Sequence, residues 1–402
     1  MSIKRIPVSK LRLGMYIHRL GGNWFLHPFW RSNFLLDSPA DLKVIQRCGI
    51  SDVWIVVDKN EPGSRPATEI GWMLSSSDAA PDGGLSAAPT VTLAEEVEHA
   101  RQLCLGAQDQ ILSMFDEARM GKAINARSAV PLVQQIADSV ERHPQALLSV
   151  ARLKTQDNCT YLHSVAVCAL MLALARQLRL DYRLTQLAGL GGLMHDLGKA
   201  AIPLDILNKP GKLTDAEFKA MKRHPARGAA MLREGGADPA VQAVAMHHHE
   251  KINGKGYPDG LVADAIPLLA RMGAVCDVYD AVTSVRPYKD PWNPAEAMRQ
   301  MARWEGHFDR PIFEAFVKAV GIYPVGSLVR LKSQRLAVVT DVGPDTLLTP
   351  CVTAIYSAET HASVAPEPLD LADPACGDSI LGPEDPDAWQ LKNLDAYWLP
   401  NV

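Results

Sequence analysis

The sequence predicts a mainly α protein: a helical core, with a small β-containing module before it and a β-rich extension after it. Apolar residues recur at helical spacing through the middle of the chain, strand-like β-branched runs fall near its two ends, and a histidine-rich series sits among the helices. At 402 residues the chain has room for two or three domains.

Residues 1–58 read as a small α/β module, in which Arg47-Cys48-Gly49 closes a helix ahead of a strand over Val53-Trp54-Ile55-Val56-Val57. Residues 59–90 hold Pro62-Gly63-Ser64 and Pro81-Asp82-Gly83-Gly84 and read as a flexible linker. A helical connector, 91–148, follows, with helical segments at about 92–120 and 129–150. The histidine-rich domain spans 149–322. Its first helix, Tyr161 to Leu180, carries Val165, Ala169, Leu172 and Leu174 among its apolar positions and reads as buried. Thr214-Asp215-Ala216-Glu217 is a capping box, and the amphipathic helix it opens has His224 near its end. From 323 to 402 the pattern becomes β-rich. Short strands are expected over Ser327–Lys332, Leu336–Val342 and Cys351–Tyr356, with a turn at Gly343-Pro344-Asp345 and a Pro- and Asp-rich surface loop from 364 to 388. No internal repeat is visible.

Composition excludes several classes. A net charge of −4 with no long basic run argues against a nucleic-acid polymer as partner. Seven cysteines without a C-x-x-C pair fit a reducing compartment rather than a disulfide framework. The longest apolar run, Val165 to Ala175, is too short to span a bilayer and stops at Arg176. No signal-peptide core follows Lys4-Arg5. The expectation is a cytoplasmic protein without membrane insertion.

Six of the 12 histidines fall between His163 and His249. Two segments organise them: M-H-D-L-G-K-A over Met194–Ala200, and H-H-H-E-K-I-N-G-K-G-Y-P-D-G-L over His247–Leu261. In the adjacent pair, His195 can bind one metal while the two oxygens of Asp196 bridge both. By itself His163 reads as a half-buried histidine, and His224 before Pro225 reads as a helix-end residue facing terminal carbonyls. The clustering favours a metal site for both. His248 and His249 would diverge by roughly 100° on a regular helix, so both reach one region only where the helix ends, and Asn253-Gly254 supplies that ending. His247 then points elsewhere and is left out of the ligand set. Asp277 and Asp280 lie three apart on one helical face flanked by Met272, Ala274, Val275, Val278 and Ala281, a dry setting in which carboxylates need partners. Asp277 can ligate while Asp280 orients a neighbour. Imidazole and carboxylate donors without cysteine pairs suit iron, manganese, nickel or zinc. Two such cations generate hydroxide and clamp a phosphodiester, so the site reads as a metal-dependent phosphohydrolase.

These residues closely resemble the HD-GYP family of HD phosphohydrolases, over roughly Ser149 to Val320. The resemblance rests on an ordered series: H-D-L-G-K with Ile202-Pro203, N-K-P-G-K-L-T, K-R-H-P, H-H-E, G-K-G-Y-P-D-G-L, D-V-Y-D-A and S-V-R-P-Y-K. It implies an all-helical HD-GYP catalytic domain and hydrolysis of cyclic di-GMP to pGpG, GMP or both, with iron or manganese as the two divalent ions. It implies His163, His195, Asp196 and Asp277 on one metal, and His224, His248 and His249 on the other with Asp196 bridging. Lys199 is implied as a phosphate-contacting catalytic lysine; Tyr257, Arg286 and Lys289 are implied as substrate contacts.

Two positions depart from the family pattern. Some members carry a glutamate where this chain has Cys159; a neutral thiol is a poor ligand for a hard cation, so two metals rather than three are expected. Asn253 replaces a more usual aspartate at a turn position, where asparagine serves equally. Two other readings stand beside the enzyme: a catalytically weak cyclic di-GMP receptor signalling through its N-terminal module, and a hydrolase of another cyclic dinucleotide. A homodimer or a signalling-protein partner is left open.

Overall fold

The computed structural model describes residues 3–20, 34–36, 42, 45–46, 52–56, 92–152, 159–209, 211–284, 291–342 and 348–399. They belong to two compact units, Met1–Pro89 and Thr90–Val402.

In the first unit, β1 (Ile3–Pro7), β2 (Tyr16–Leu20), β3 (Phe34–Leu35) and β4 (Asp52–Val56) form an antiparallel sheet in the order β1-β4-β2-β3. Ile6 pairs with Val53, and these join Ile17, Leu36, Ile45 and Ile55 in one apolar cluster. β4 is the strand expected from the Val53-Trp54-Ile55 run. The helix end at Arg47-Cys48-Gly49 and the linker at 59–90 lie outside the described residues.

The second unit opens with α1 (Leu93–Arg119), started by a reciprocal Thr92–Glu95 capping box. Its buried stripe of Leu93, Val97, Ala100, Cys104, Ala107, Ile111, Met114 and Ala118 alternates steps of four and three. The segment expected at 129–150 is two helices, α2 (Val130–Arg142) and α3 (Pro144–Arg152). Pro144 drives the residue before it out of helical geometry, and His143 is extended at φ −156° and ψ 96°. Next comes α4 (Cys159–Gln177), buried on every side from Tyr161 to Ala175, as its continuous apolar sequence requires. Around it lie α5 (Tyr182–Met194), α6 (Leu204–Leu207), α7 (Asp215–Met221), α8 (His224–Glu234), α9 (Pro239–His247), α10 (Leu268–Thr283), α11 (Pro294–Arg303) and α12 (Arg310–Val320). Leu172 and Leu174 are fully buried, and truncating either to alanine would cost about 2–5 kcal/mol.

Two expectations are corrected. His224 does not end the helix opened by the Thr214 capping box: α7 stops at Met221, and His224 begins α8. Pro225 explains this, because a proline lacks the N–H that a helix interior needs but suits its first turn. The stretch 364–388 is not simply loop either. The sheet β5 (Leu328–Leu331), β6 (Arg335–Asp341), β7 (Cys351–Ser357), β8 (Ala362–Asp370) and β9 (Ile380–Pro383) is antiparallel in the order β8-β7-β6-β5-β9. β8 is an exposed edge strand, so no inward-outward alternation marks it, and its prolines are tolerated at the edge. The Gly343-Pro344-Asp345 turn lies outside the described residues.

The C-terminal sheet shares its core with the helices: Val325, Leu328, Leu336, Val338 and Ile355 cluster with Leu93, Val97, Ala146 and Trp398. Among the described residues no helix is long and apolar enough to cross a membrane.

Candidate metal centre

The ligand candidates reach the centre of the bundle largely from helix ends. His163 lies near the start of α4, His195 caps the C-terminus of α5, and Asp196 follows it. His224 begins α8, His248 caps the C-terminus of α9 with His249 next, and Asp277 and Asp280 lie along α10. Gly198 permits this convergence. A Cβ there would stand 1.9 Å from the carbonyl oxygen of His224 and 2.5 Å from the amide nitrogen of Gly228, so only glycine lets the H-D turn abut α8. The helix carrying His248 ends at His247, earlier than Asn253-Gly254, and this lets His248 and His249 face the same region. Asn253 takes its expected turn role: its Oδ1 accepts the Lys255 amide at 3.0 Å, with Gly254 at φ +73°.

The backbone fixes the imidazole tautomers. Nδ1–H of His195 donates to the Gly192 carbonyl at 2.8 Å, that of His224 to Met221 at 2.9 Å, and that of His248 to Ala245 at 3.0 Å. His163 Nδ1 donates to Asp280 Oδ2 at 2.6 Å, the orienting role expected of Asp280. Each Nε2 is left with its lone pair directed inward. His163 and His195 oppose Nε2 atoms at 3.2 Å; His224 and His248 oppose theirs at 3.3 Å. Two lone pairs at that separation repel each other unless something positive is shared between them.

Asp196 spans the two pairs. Its Oδ2 lies 3.4 Å from Nε2 of both His163 and His195, while Oδ1 lies 3.3 Å from His224 and 3.8 Å from His248. That Oδ1 is buried and accepts no hydrogen bond, a costly condition that a cation relieves. Asp277 completes the ring, with Oδ1 3.2 Å from His163 Nε2 and Oδ2 3.8 Å from His249 Nδ1. Donor atoms of His163, His195 and Asp277 lie within 4.8 Å of one another, as do those of His224, His248 and His249. This all-nitrogen-and-oxygen set fits two divalent cations sharing Asp196.

The protein charges alone divide the cage. Burial would lower the pKa of His195, but Asp196 and Asp277 outweigh it and raise it to about 10; His163 is raised in the same way by Asp196, Asp277 and Asp280. Two protonated Nε2 atoms cannot face each other at 3.2 Å, so the positive charge these carboxylates demand is better supplied by an ion. In the other half, burial lowers His224, burial and His249 lower His248, and burial brings His249 to about 4. Those three imidazoles are neutral at physiological pH, the form that ligates. Burial opposes ionisation of Asp196, yet Lys199, His195 and His163 hold its pKa well below the usual carboxylate range.

Other candidates are distributed around this cage. Lys199 hydrogen-bonds Asp196 Oδ2. The Tyr257 ring lies 4.7 Å from that of His249, with the Lys222 ammonium 5.0 Å from its centre. Arg286 and Lys289 lie outside the described residues, as does the side chain of Cys159. Sequence reasoning gave no role to Glu250, although it stands in H-H-E; it is buried and accepts three loop amides. Its charge beside two histidines was the available signal.

Helices that converge on paired imidazoles around a shared aspartate define an HD domain, a divalent-metal-binding fold, and the HD domain family matches residues 131–312. A domain of unknown function, DUF3391, matches residues 3–129. The chain is 52% identical over 400 residues to a cyclic di-GMP phosphodiesterase of Pseudomonas aeruginosa, covering 98% of this chain and 95% of that protein. It is 37% identical over 199 residues to a cyclic di-GMP phosphodiesterase response regulator of Xanthomonas campestris, covering 47% of this chain and 52% of that one. A 3'3'-cGAMP-specific phosphodiesterase of Vibrio cholerae is 34% identical over 193 residues, covering 47% and 44%. The chain belongs to the HD-GYP family.

Proposed function

We propose that this protein hydrolyses cyclic di-GMP in the cytoplasm, cutting it to pGpG and then to GMP at a two-metal site. The observation that carries the reading is the pair of opposed Nε2 couples sharing one buried aspartate. The near full-length similarity to a cyclic di-GMP phosphodiesterase supports the substrate.

His163, His195, Asp277 and one oxygen of Asp196 would hold the first ion, and His224, His248, His249 and the other oxygen the second. Iron or manganese suits this donor set. When bound, such ions lower the pKa of water and neutralise charge on a phosphodiester. The chain does the rest. Asp280 holds the His163 imidazole, and backbone carbonyls hold those of His195, His224 and His248, in the tautomer that aims Nε2 inward. Lys199, now on Asp196, supplies a cation within reach of a phosphate oxygen, and Tyr257 offers a ring and a hydroxyl beside His249. Arg286 and Lys289 would bind phosphate or a guanine edge. Linear pGpG presents the same internal linkage, so the residues that position the first cut also serve the second.

The test is anaerobic loading with iron or manganese, metal analysis, and product chromatography with cyclic di-GMP, pGpG and 3'3'-cGAMP as separate substrates. Cyclic di-GMP consumed first, with pGpG ahead of GMP, is the expected course. Cyclic di-GMP bound but intact under metal-replete, reducing conditions would favour the receptor reading, and faster loss of 3'3'-cGAMP would reassign the substrate.

A further inference from the structure

Glu250 is 2% exposed, and among the described residues no lysine, arginine or histidine pairs with it. Its carboxylate instead collects backbone donors. Oε1 accepts the amides of Asp259 at 2.7 Å and Gly260 at 3.0 Å, and Oε2 accepts that of Leu261 at 3.1 Å. Hydrogen bonds to an ionised acceptor are the stronger kind, and three on one buried side chain tie the far end of the loop to the base of the cage.

The near end is tied independently. A Cβ on Gly256 would lie 2.5 Å from Glu250 Cα and 2.4 Å from the Lys251 amide nitrogen, so glycine lets the loop lie flat against that backbone. The Tyr257 amide then donates to the His249 carbonyl at 3.2 Å. Between the two ties the Tyr257 ring is held with its face toward His249 at 4.7 Å and an interplanar angle of 30°. His247, Glu250 and Asp259 also place donor atoms within 4.8 Å of one another, the spacing of a further cation site. Three amides take three of the roughly four lone-pair sites of this carboxylate, so its main work is on the loop.

We infer that Glu250 is a positioning residue: it fixes the 256–261 loop so that Tyr257 is pre-set against the cage for the substrate. The role rests on the proposed cyclic di-GMP reading and on Tyr257 as a substrate contact. It predicts that Glu250 acts through Tyr257, which a double-mutant cycle detects.

The experiment compares full-length wild type, Glu250→Ala, Glu250→Gln, Tyr257→Ala and the Glu250→Ala/Tyr257→Ala double variant, all loaded with manganese. Metal content, KM and kcat for cyclic di-GMP are measured on each. Tyr257→Ala and Glu250→Ala should each raise KM about tenfold at unchanged metal content, and the double variant should be no worse than Tyr257→Ala alone. Glu250→Gln keeps one acceptor oxygen and should recover most of the loss. If Glu250→Ala does not fold, Glu250→Asp, whose shorter side chain cannot reach the three amides, takes its place in the cycle. Losses that multiply in the double variant, metal lost on Glu250→Gln, or wild-type KM in Glu250→Ala would each overturn the role. Wild-type protein that neither binds nor cleaves cyclic di-GMP would refute the substrate reading first, and this role with it.

Discussion

Replacing Asp196 with asparagine keeps the shape of the side chain and removes the charge that both halves of the cage share. The amide has to place its NH2 either toward Nε2 of His163 and His195, 3.4 Å from the present Oδ2, or toward Nε2 of His224, 3.3 Å from the present Oδ1. Wherever it points, an N–H donates into an imidazole lone pair and blocks that half for a cation. The other half keeps an oxygen, now neutral. Losing the charge from that contact costs about 1.5–3 kcal/mol, so the surviving site should weaken roughly ten- to a hundredfold. On the proposed two-metal reading the variant would keep only one ion to act on the phosphodiester, and turnover should fall by about a thousandfold or more. Metal-stripped protein is titrated anaerobically with manganese, bound metal is counted by mass spectrometry, and cyclic di-GMP conversion is followed by chromatography. Wild type should hold two ions per chain and Asp196→Asn at most one. Two tightly held ions in the variant, with turnover within about tenfold of wild type, would refute the bridging argument.

Other perturbations read other parts of the fold. Asp280→Asn weakens the 2.6 Å hydrogen bond that orients His163 and should lower affinity for one ion about tenfold or more, measured as the midpoint of a manganese titration. Gly198→Ala puts a methyl 1.9 Å from a backbone oxygen of α8; it should destabilise the protein by about 1–3 kcal/mol or more and strip the metal on the His224 side, read by denaturant melts and metal analysis. Arg286→Ala or Lys289→Ala should raise KM about tenfold to a hundredfold while metal content stays unchanged, measured by steady-state kinetics. In chelator, His249 has an ordinary pKa of 6.5 lowered to about 4 by burial, so the unfolded chain takes up the proton first. Its stabilising share is full above 6.5 and is lost as pH falls toward about 4, roughly 3 kcal/mol in all. His195, raised to about 10, works in the opposite sense: its share is full below 6.5 and is lost as pH rises through about 10. Thermal melts of the metal-free protein should therefore show a maximum near neutrality, and a flat profile would contradict both assignments.

The helices were legible where one signal dominated, as in the continuous apolar run of α4 and the capping box at Thr214. The break at His143-Pro144 was missed because the apolar spacing continues across it, although a proline forbids a continuous helix. β8 was missed for a different reason. An exposed edge strand is held by its backbone ladder, which leaves no pattern in side chains. At the centre, the H-D, H-H and D-V-Y-D segments named His195, Asp196, His248, His249 and Asp277, the clustering of histidines added His163 and His224, and the structure brings all seven into one cage. What the sequence did not reveal was how the imidazoles are aimed, because the Gly192, Met221 and Ala245 carbonyls that fix them carry no residue-specific signal.

His195, His224 and His248 stand at helix termini, and this makes residue count a specification in its own right. A substitution within Tyr182–Met194 or Pro239–His247 only has to pack. One residue inserted into either helix turns its terminal imidazole by about 100° and advances it by about 1.5 Å, which no rotamer recovers while Nδ1 still has to meet its carbonyl. Chains with this cage should therefore tolerate changes of composition in these helices better than changes of length, and should accept insertions in the connecting loops. Helix length is the ruler by which the spacing of the two imidazole pairs is set.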